Sequence, residues 1–184
     1  MLKVRTYGDS VLRKKAVPVE RVDDDLRALA AEMVETMHAD NGIGLAAEQV
    51  GRRESICVVD VPPELDLDSG RQRVNPGIDM PLVLINPKIT DSSEDTDVAE
   101  EGCLSFPDIS LPVRRAKTVN VRYMDLAGEN NEITVRGLLA RCVQHELDHL
   151  DGTLIIDRVP KIKQVSISGR LKKLKKSNRE ELAV

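Results

Sequence analysis

The chain is 184 residues long, 41% hydrophobic and 32% charged, which fits one globular domain and leaves little room for two. At this length roughly 70% of the extended-chain surface can be buried on folding, so neither disulfides nor a partner chain is needed for a core. Aromatics make up only 2% and Trp is absent, so the core must come from Leu, Ile, Val and Ala, and base-stacking platforms for nucleic acid are not expected.

The apolar runs, such as 56–59 and 81–85, are far shorter than the roughly 18 residues of a membrane helix. The opening MLKVRTYGDS has a cation but no apolar h-region and no small-residue cleavage site, so a cytoplasmic location is expected. Three cysteines, Cys57, Cys103 and Cys142, form an odd set at irregular spacing, as in a reducing compartment. The net charge of −4 is uneven, because Pro160–Val184 carries eight Lys or Arg against two Glu. A solvated or partly disordered tail is expected there.

Asp23–Asp40 predicts an amphipathic helix, with acids at its start, Leu26, Leu29, Ala30, Met33, Val34 and Met37 at helical spacing, and Asn41-Gly42 as its stop. His38, near its end, is expected as a helix-end cation. Ser55–Val61 reads as a buried strand, 62–81 as an exposed loop, and Pro81–Ile85 as a second strand. Lys117–Asp125 and Glu132–Val135 flank the turn AGEN and predict a hairpin. Gly137–Leu150 predicts a helix closed by Gly152 as a left-handed cap. Strands and helices do not alternate regularly, which favours an α+β fold over a doubly wound sheet.

The sharpest chemical signal is His145-Glu146-Leu147-Asp148-His149. Helical positions four apart lie about 40° apart in azimuth and about 6 Å apart in height, so both imidazoles can reach one cation. Leu138 and Cys142 share their stripe, which argues for a buried face rather than two surface histidines. Glu146 can place a carboxylate beside the metal and take a proton from bound water.

Catalytic metal sites usually have three protein ligands and a water. The zinc-peptidase continuation HExxHxxGxxH fails here, because Gly152 occupies the glycine slot but Ile155 the last histidine slot. Cys103, within EEGCLSFP and bracketed by Gly102 and Pro107, is the upstream candidate for a thiolate ligand. Cys142, three residues before His145, competes with it but is more simply a small core residue or pocket wall, and Cys57 belongs to the core. The third segment, GIGLAAEQ at 42–49, has glycines that permit close backbone approach and Gln49 as an amide donor to an oxyanion.

Taken together, GIGLAAEQ, EGCLS and QHELDH, separated by about 50 and about 40 residues, resemble the three motifs of the peptide deformylase family. The resemblance covers roughly residues 1–160 in organisation. It implies a catalytic domain over 1–160 and a basic C-terminal helix or tail of the same domain over 161–184, with antiparallel or mixed sheets packed around a central metal-binding helix. The implied activity is hydrolysis of the N-formyl group from N-formylmethionyl nascent peptides, and the alternative is an HExxH metallopeptidase cutting internal bonds. It assigns Cys103, His145 and His149 as ligands of one divalent ion, with Fe2+ expected natively and Zn2+, Ni2+ or Co2+ as other occupants. Glu146 becomes the general base, and Gln49 and the Leu104 N–H become the oxyanion donors.

The same resemblance places Ile43, Gly44, Glu101 and Gly102 along the substrate, with Glu101 near the rim. Leu138 and Cys142 would wall an apolar pocket for methionine. Two positions depart from some relatives: Arg141 replaces an aliphatic residue, and Ser110 stands where an arginine can occur. They bear on peptide contacts beyond the methionine, and Phe106 bears on the pocket floor. Lys172, Lys173, Lys175 and Lys176 are the implied ribosome contact. Neither a membrane nor a sequence-specific nucleic acid is expected as a partner. A structural zinc domain would require a fourth side-chain ligand.

Overall fold

The computed structural model describes residues 1–182. The first helix, α1 (Asp24–Ala39), starts where Asp23 accepts the Leu26 N–H at 2.9 Å and ends at Asn41, whose φ of 55° is left-handed. Strands β1 (Gly44–Ala46), β2 (Ile56–Val59) and β3 (Leu82–Ser92) follow, then a hairpin of β4 (Thr96–Gly102) and β5 (Ser110–Ala116). A second hairpin, β6 (Thr118–Met124) and β7 (Asn130–Arg136), leads into α2 (Gly137–Leu150), then α3 (Lys161–Ser166) and α4 (Ser168–Leu182).

One sheet runs in the order β1-β2-β3-β6-β7, and β4-β5 forms a separate two-stranded sheet. Every strand pair is antiparallel, so the fold is α+β. Helix α2 packs on one face of the large sheet and α1 on the other. That explains the unbroken apolar run of β2: Cys57 and Val59 face the α2 side, Ile56 and Val58 the α1 side, and all four are fully buried. A third cluster, around Phe106, Ile109, Leu111 and Val113, seals β5 against Leu154 and Ile155 beyond α2.

The structure differs from the sequence reading in three places. The β4–β5 hairpin was not expected: three of the seven β4 residues are acids, and β5 carries Pro112 and two adjacent arginines, so neither shows a clean apolar–polar alternation in sequence. The 62–81 segment is not simply an exposed loop. Asp66 and Asn75 are buried in it, with Asn75 donating to Asp66 Oδ1 at 2.6 Å and to the Arg136 carbonyl at 3.1 Å. The C-terminal tail, expected to be solvated or partly disordered, is helical. Ile167, Leu171 and Leu174 join the third cluster, and buried Asn178 donates to the Thr6 carbonyl at 3.2 Å.

Between β1 and β2 lies a short helical turn, Ala47–Val50. Within it Glu48 is fully buried, and neither carboxylate oxygen has a hydrogen-bond partner. Burial pushes its carboxyl from an ordinary 4.5 up to about 8. The native state therefore keeps a proton that the unfolded chain releases, and stability falls as pH rises from 4.5 to about 8. At about 1.4 kcal/mol per pKa unit the full effect is at most about 5 kcal/mol. Glu48→Gln is expected to be more stable than the parent near pH 8.5, with the advantage shrinking toward pH 5. Urea midpoints across that range check this, and a pH-independent difference contradicts it.

Candidate metal centre and active site

Helix α2 carries His145, Glu146 and His149 on its buried side. The two imidazoles lie edge to face with ring centroids 5.0 Å apart. Cys103 enters from the end of β4, and its Sγ lies 3.2 Å from His149 Nε2. Ligand atoms of Cys103, His145 and His149 all fall within 4.8 Å of one another, and among the described residues no other His, Cys, Asp or Glu joins them.

The remaining sulfurs lie elsewhere: Cys142 Sγ faces the Ile43 carbonyl at 3.4 Å, and Cys57 is buried in β2. Burial pushes both thiols up, which keeps them protonated. His38 sits apart, with Nε2 2.8 Å from Asp60 Oδ2.

A thiol and two imidazoles are a donor set suited to a first-row divalent ion. The hydrogen bonding agrees with that use. His145 donates from Nδ1 to Glu101 Oε2 at 3.0 Å, leaving Nε2 as its ligand atom. Burial and the neighbouring His145 hold His149 well below the ordinary histidine range, so its ring is neutral.

Glu101 is almost wholly buried. It lines the cavity, but its carboxylate does not sit at the rim as expected: it turns inward and accepts from His145, Arg115 and Arg141. Burial alone would raise its pKa, yet hydrogen bonds from His145 and Arg115 hold it at about 2. Arg141, read from the sequence as a difference on the peptide side, points to Glu101 Oε1 at 2.8 Å and to Asp97 Oδ1 at 2.5 Å.

The trio borders a cavity of about 830 Å³. Cys103 and His145 line it, whereas His149 lies behind them, 1% exposed. Ile43, Gly44 and Gln49 form one wall, Gly102 and Leu104 another, and Leu138, Cys142 and Glu146 come from α2. Phe106, tilted against Tyr7 with ring centroids 5.1 Å apart, also lines the cavity.

Gln49 is fixed in orientation: its Oε1 accepts the Ala46 N–H at 2.8 Å, and its Nε2 points to Ser105 Oγ at 3.2 Å and Cys103 Sγ at 3.5 Å. Gly44 is required by contact, because a Cβ there would stand 2.3 Å from Glu146 Oε1. Burial pushes the Glu146 carboxyl up to about 7, and its Oε2 is buried without a partner. A carboxyl near neutrality is suited to taking and returning a proton.

Sequence reasoning did not single out Ser105, Arg115 or Asp148. Asp148 left one signal, a carboxylate on the buried side of α2 next to His149. Ser105 left its place in the EGCLS motif, and Arg115 left none.

A family model described as polypeptide deformylase matches residues 1–165. A peptide deformylase of Thermotoga neapolitana is 43% identical over 97% of this chain and 99% of its own length. The crystal structure of peptide deformylase from Ehrlichia chaffeensis superposes with a TM-score of 0.84 at 39% identity, covering 98% of both chains. That of a Synechococcus elongatus peptide deformylase in complex with actinonin gives 0.79 at 41% identity, covering 94% of this chain and 85% of the other. With a family model over residues 1–165, a relative 43% identical over nearly the whole chain and a matching α+β fold, the chain belongs to the polypeptide deformylase family.

Proposed function

We propose that this metal-dependent hydrolase removes the formyl group from N-formylmethionyl nascent peptides, using Cys103, His145 and His149 to hold one divalent ion. The observation that carries this reading is the meeting of those three ligand atoms with Glu146 and Gln49 beside one cavity. Ferrous iron is the expected native occupant, with zinc, nickel or cobalt able to replace it. Such an ion supplies a bound water whose pKa falls from 15.7 to roughly 7, and it polarises the formyl oxygen.

The chain's own residues do the rest. Ile43 and Gly44 pair with the peptide backbone as an added strand, opposite Glu101 and Gly102. Leu138 and Cys142 receive the methionine side chain. Glu146 accepts a proton from the attacking water and returns it to the departing amine, so that formate and a free amino terminus leave. The Gln49 amide and the Leu104 N–H donate to the formyl oxygen as it gains negative charge.

Hydrolysis of internal bonds, the other reading of HExxH, has no feature in its favour. Residues 161–182 pack on the body through Ile167 and Asn178 and belong to the same catalytic unit. Lys172, Lys173, Lys175 and Lys176 on α4 offer a cationic contact to the polyanionic ribosome, one that weakens with added salt, in keeping with a cytoplasmic enzyme.

Formyl-Met-Ala-Ser assayed anaerobically with ferrous iron is expected to release formate, while a longer unformylated peptide stays intact; internal cleavage would contradict the reading. Glu146→Ala should purify with metal but lose about 10²- to 10⁴-fold in turnover, the span of acid–base catalysis. Metal analysis should find Cys103→Ala depleted and Cys142→Ala loaded, and the reverse would exchange their roles. Gln49→Ala should lose on the order of 10²-fold or more in kcat, as expected for an oxyanion donor. A change confined to KM would show that its amide does not act in the transition state.

A further inference from the structure

Behind the ligands, the side chains of Glu101, Arg115 and Asp148 form a buried set of charges that the reaction does not use, with the exposed Arg158 at its outer end. Arg115, on β5 and 5% exposed, presents a fork to Glu101, with Nε to Oε1 and Nη2 to Oε2 both at 2.9 Å. Its remaining Nη1 donates to Asp148 Oδ2 at 2.6 Å. Asp148 also accepts from Arg158, with Nε at 2.8 Å from Oδ2 and Nη2 on Oδ1. Glu101 in turn accepts the His145 Nδ1–H.

The connectivity closes on itself. His145 and Asp148 stand three residues apart on α2, and the path between their side chains runs through Glu101 and Arg115. Glu101 lies on β4 two residues before Cys103, while His149 directly follows Asp148. The ring therefore ties the strand end that delivers the sulfur to the helix that delivers both imidazoles. Burying this many charges is costly unless each is paired and hydrogen-bonded, and here each is.

We propose that Arg115 and Asp148 are positioning residues for the metal centre, bracing Glu101 against His145 and holding the Cys103 strand end in register with helix α2. This rests on the ligand assignment proposed above. Arg115 acts through geometry: its planar fork matches the two oxygens of Glu101, which a lysine of equal charge cannot do. Asp148 holds the guanidinium from the other side. Partners that orient a metal-binding histidine in this way are typically worth 10- to 100-fold in metal affinity or activity.

The test uses the full chain loaded with Co2+, whose visible bands report ligand geometry and thiolate coordination. The parent is expected to show a thiolate-to-cobalt band that Cys103→Ala abolishes. Asp148→Asn, which keeps the shape but not the charge, and Arg115→Lys, which keeps the charge but not the fork, should both shift the cobalt bands. Both should also release metal to a chelator about 10- to 100-fold faster, with kcat lowered and KM for formyl-Met-Ala-Ser unchanged.

Leu29→Ala, in the core on the far side of the sheet, serves as a destabilised control with normal bands and normal release. Bands and release rates for Asp148→Asn and Arg115→Lys that match Leu29→Ala would overturn the proposal and leave the ring a purely structural brace. A parent protein without the thiolate band would instead overturn the ligand assignment, and the positioning role with it.

Discussion

The hydrogen bond from His145 to Glu101 is the joint on which the architecture turns. Three candidate ligands come from two segments about 40 residues apart, one leaving a strand and one lying along a helix. A helix and a strand end packed only by apolar contacts could slide by a fraction of an ångström without much penalty. A carboxylate caught between an imidazole and a guanidinium fork could not, because any slip leaves a buried charge unpaired. Glu101 thereby converts a loose chain crossing into a fixed one, and its low pKa follows from the same donors.

Around that joint the molecule is organised by coverage. Helices on both faces of the five-stranded sheet bury β2 completely. That allows β1, next to it at the sheet edge, to bring Gly44 against Glu146 with no room for a side chain. The short turn after β1 orients Gln49 through the Ala46 N–H and buries Glu48 without partners. The two neighbours show opposite uses of burial. Gln49 is held by hydrogen bonds that aim its amide at the site, whereas Glu48 meets its surroundings by staying protonated.

The parts legible in the sequence were those with a strong period or a strong motif. Helix α2 was read at its observed bounds because Gly137, the apolar stripe and Gly152 all punctuate the same segment, and Gly152 does adopt a left-handed φ of 72°. Helix α1 and the β6–β7 hairpin were legible for the same reason. The β4–β5 hairpin was not, because β4 mixes three acids with an exposed Val98 and β5 buries Arg115 where an apolar residue would mark the strand. Arg115, Asp148 and the inward turn of Glu101 share that cause: a buried ion network has no local pattern and exists only once distant segments meet. The C-terminal helix was legible only as an alternative to a solvated tail, because its packing residues are sparse among lysines and Asn178 finds its partner at Thr6, at the other end of the chain.

The central claim is that one thiolate and two imidazoles share an ion that keeps a position open to solvent. X-ray absorption on the zinc-loaded full chain tests it most directly. One sulfur at about 2.3 Å with nitrogen or oxygen neighbours at about 2.0 to 2.1 Å, in a four-coordinate shell, is the expected result. Two sulfurs, or none, would contradict the account, as would a shell unchanged by Cys103→Ala.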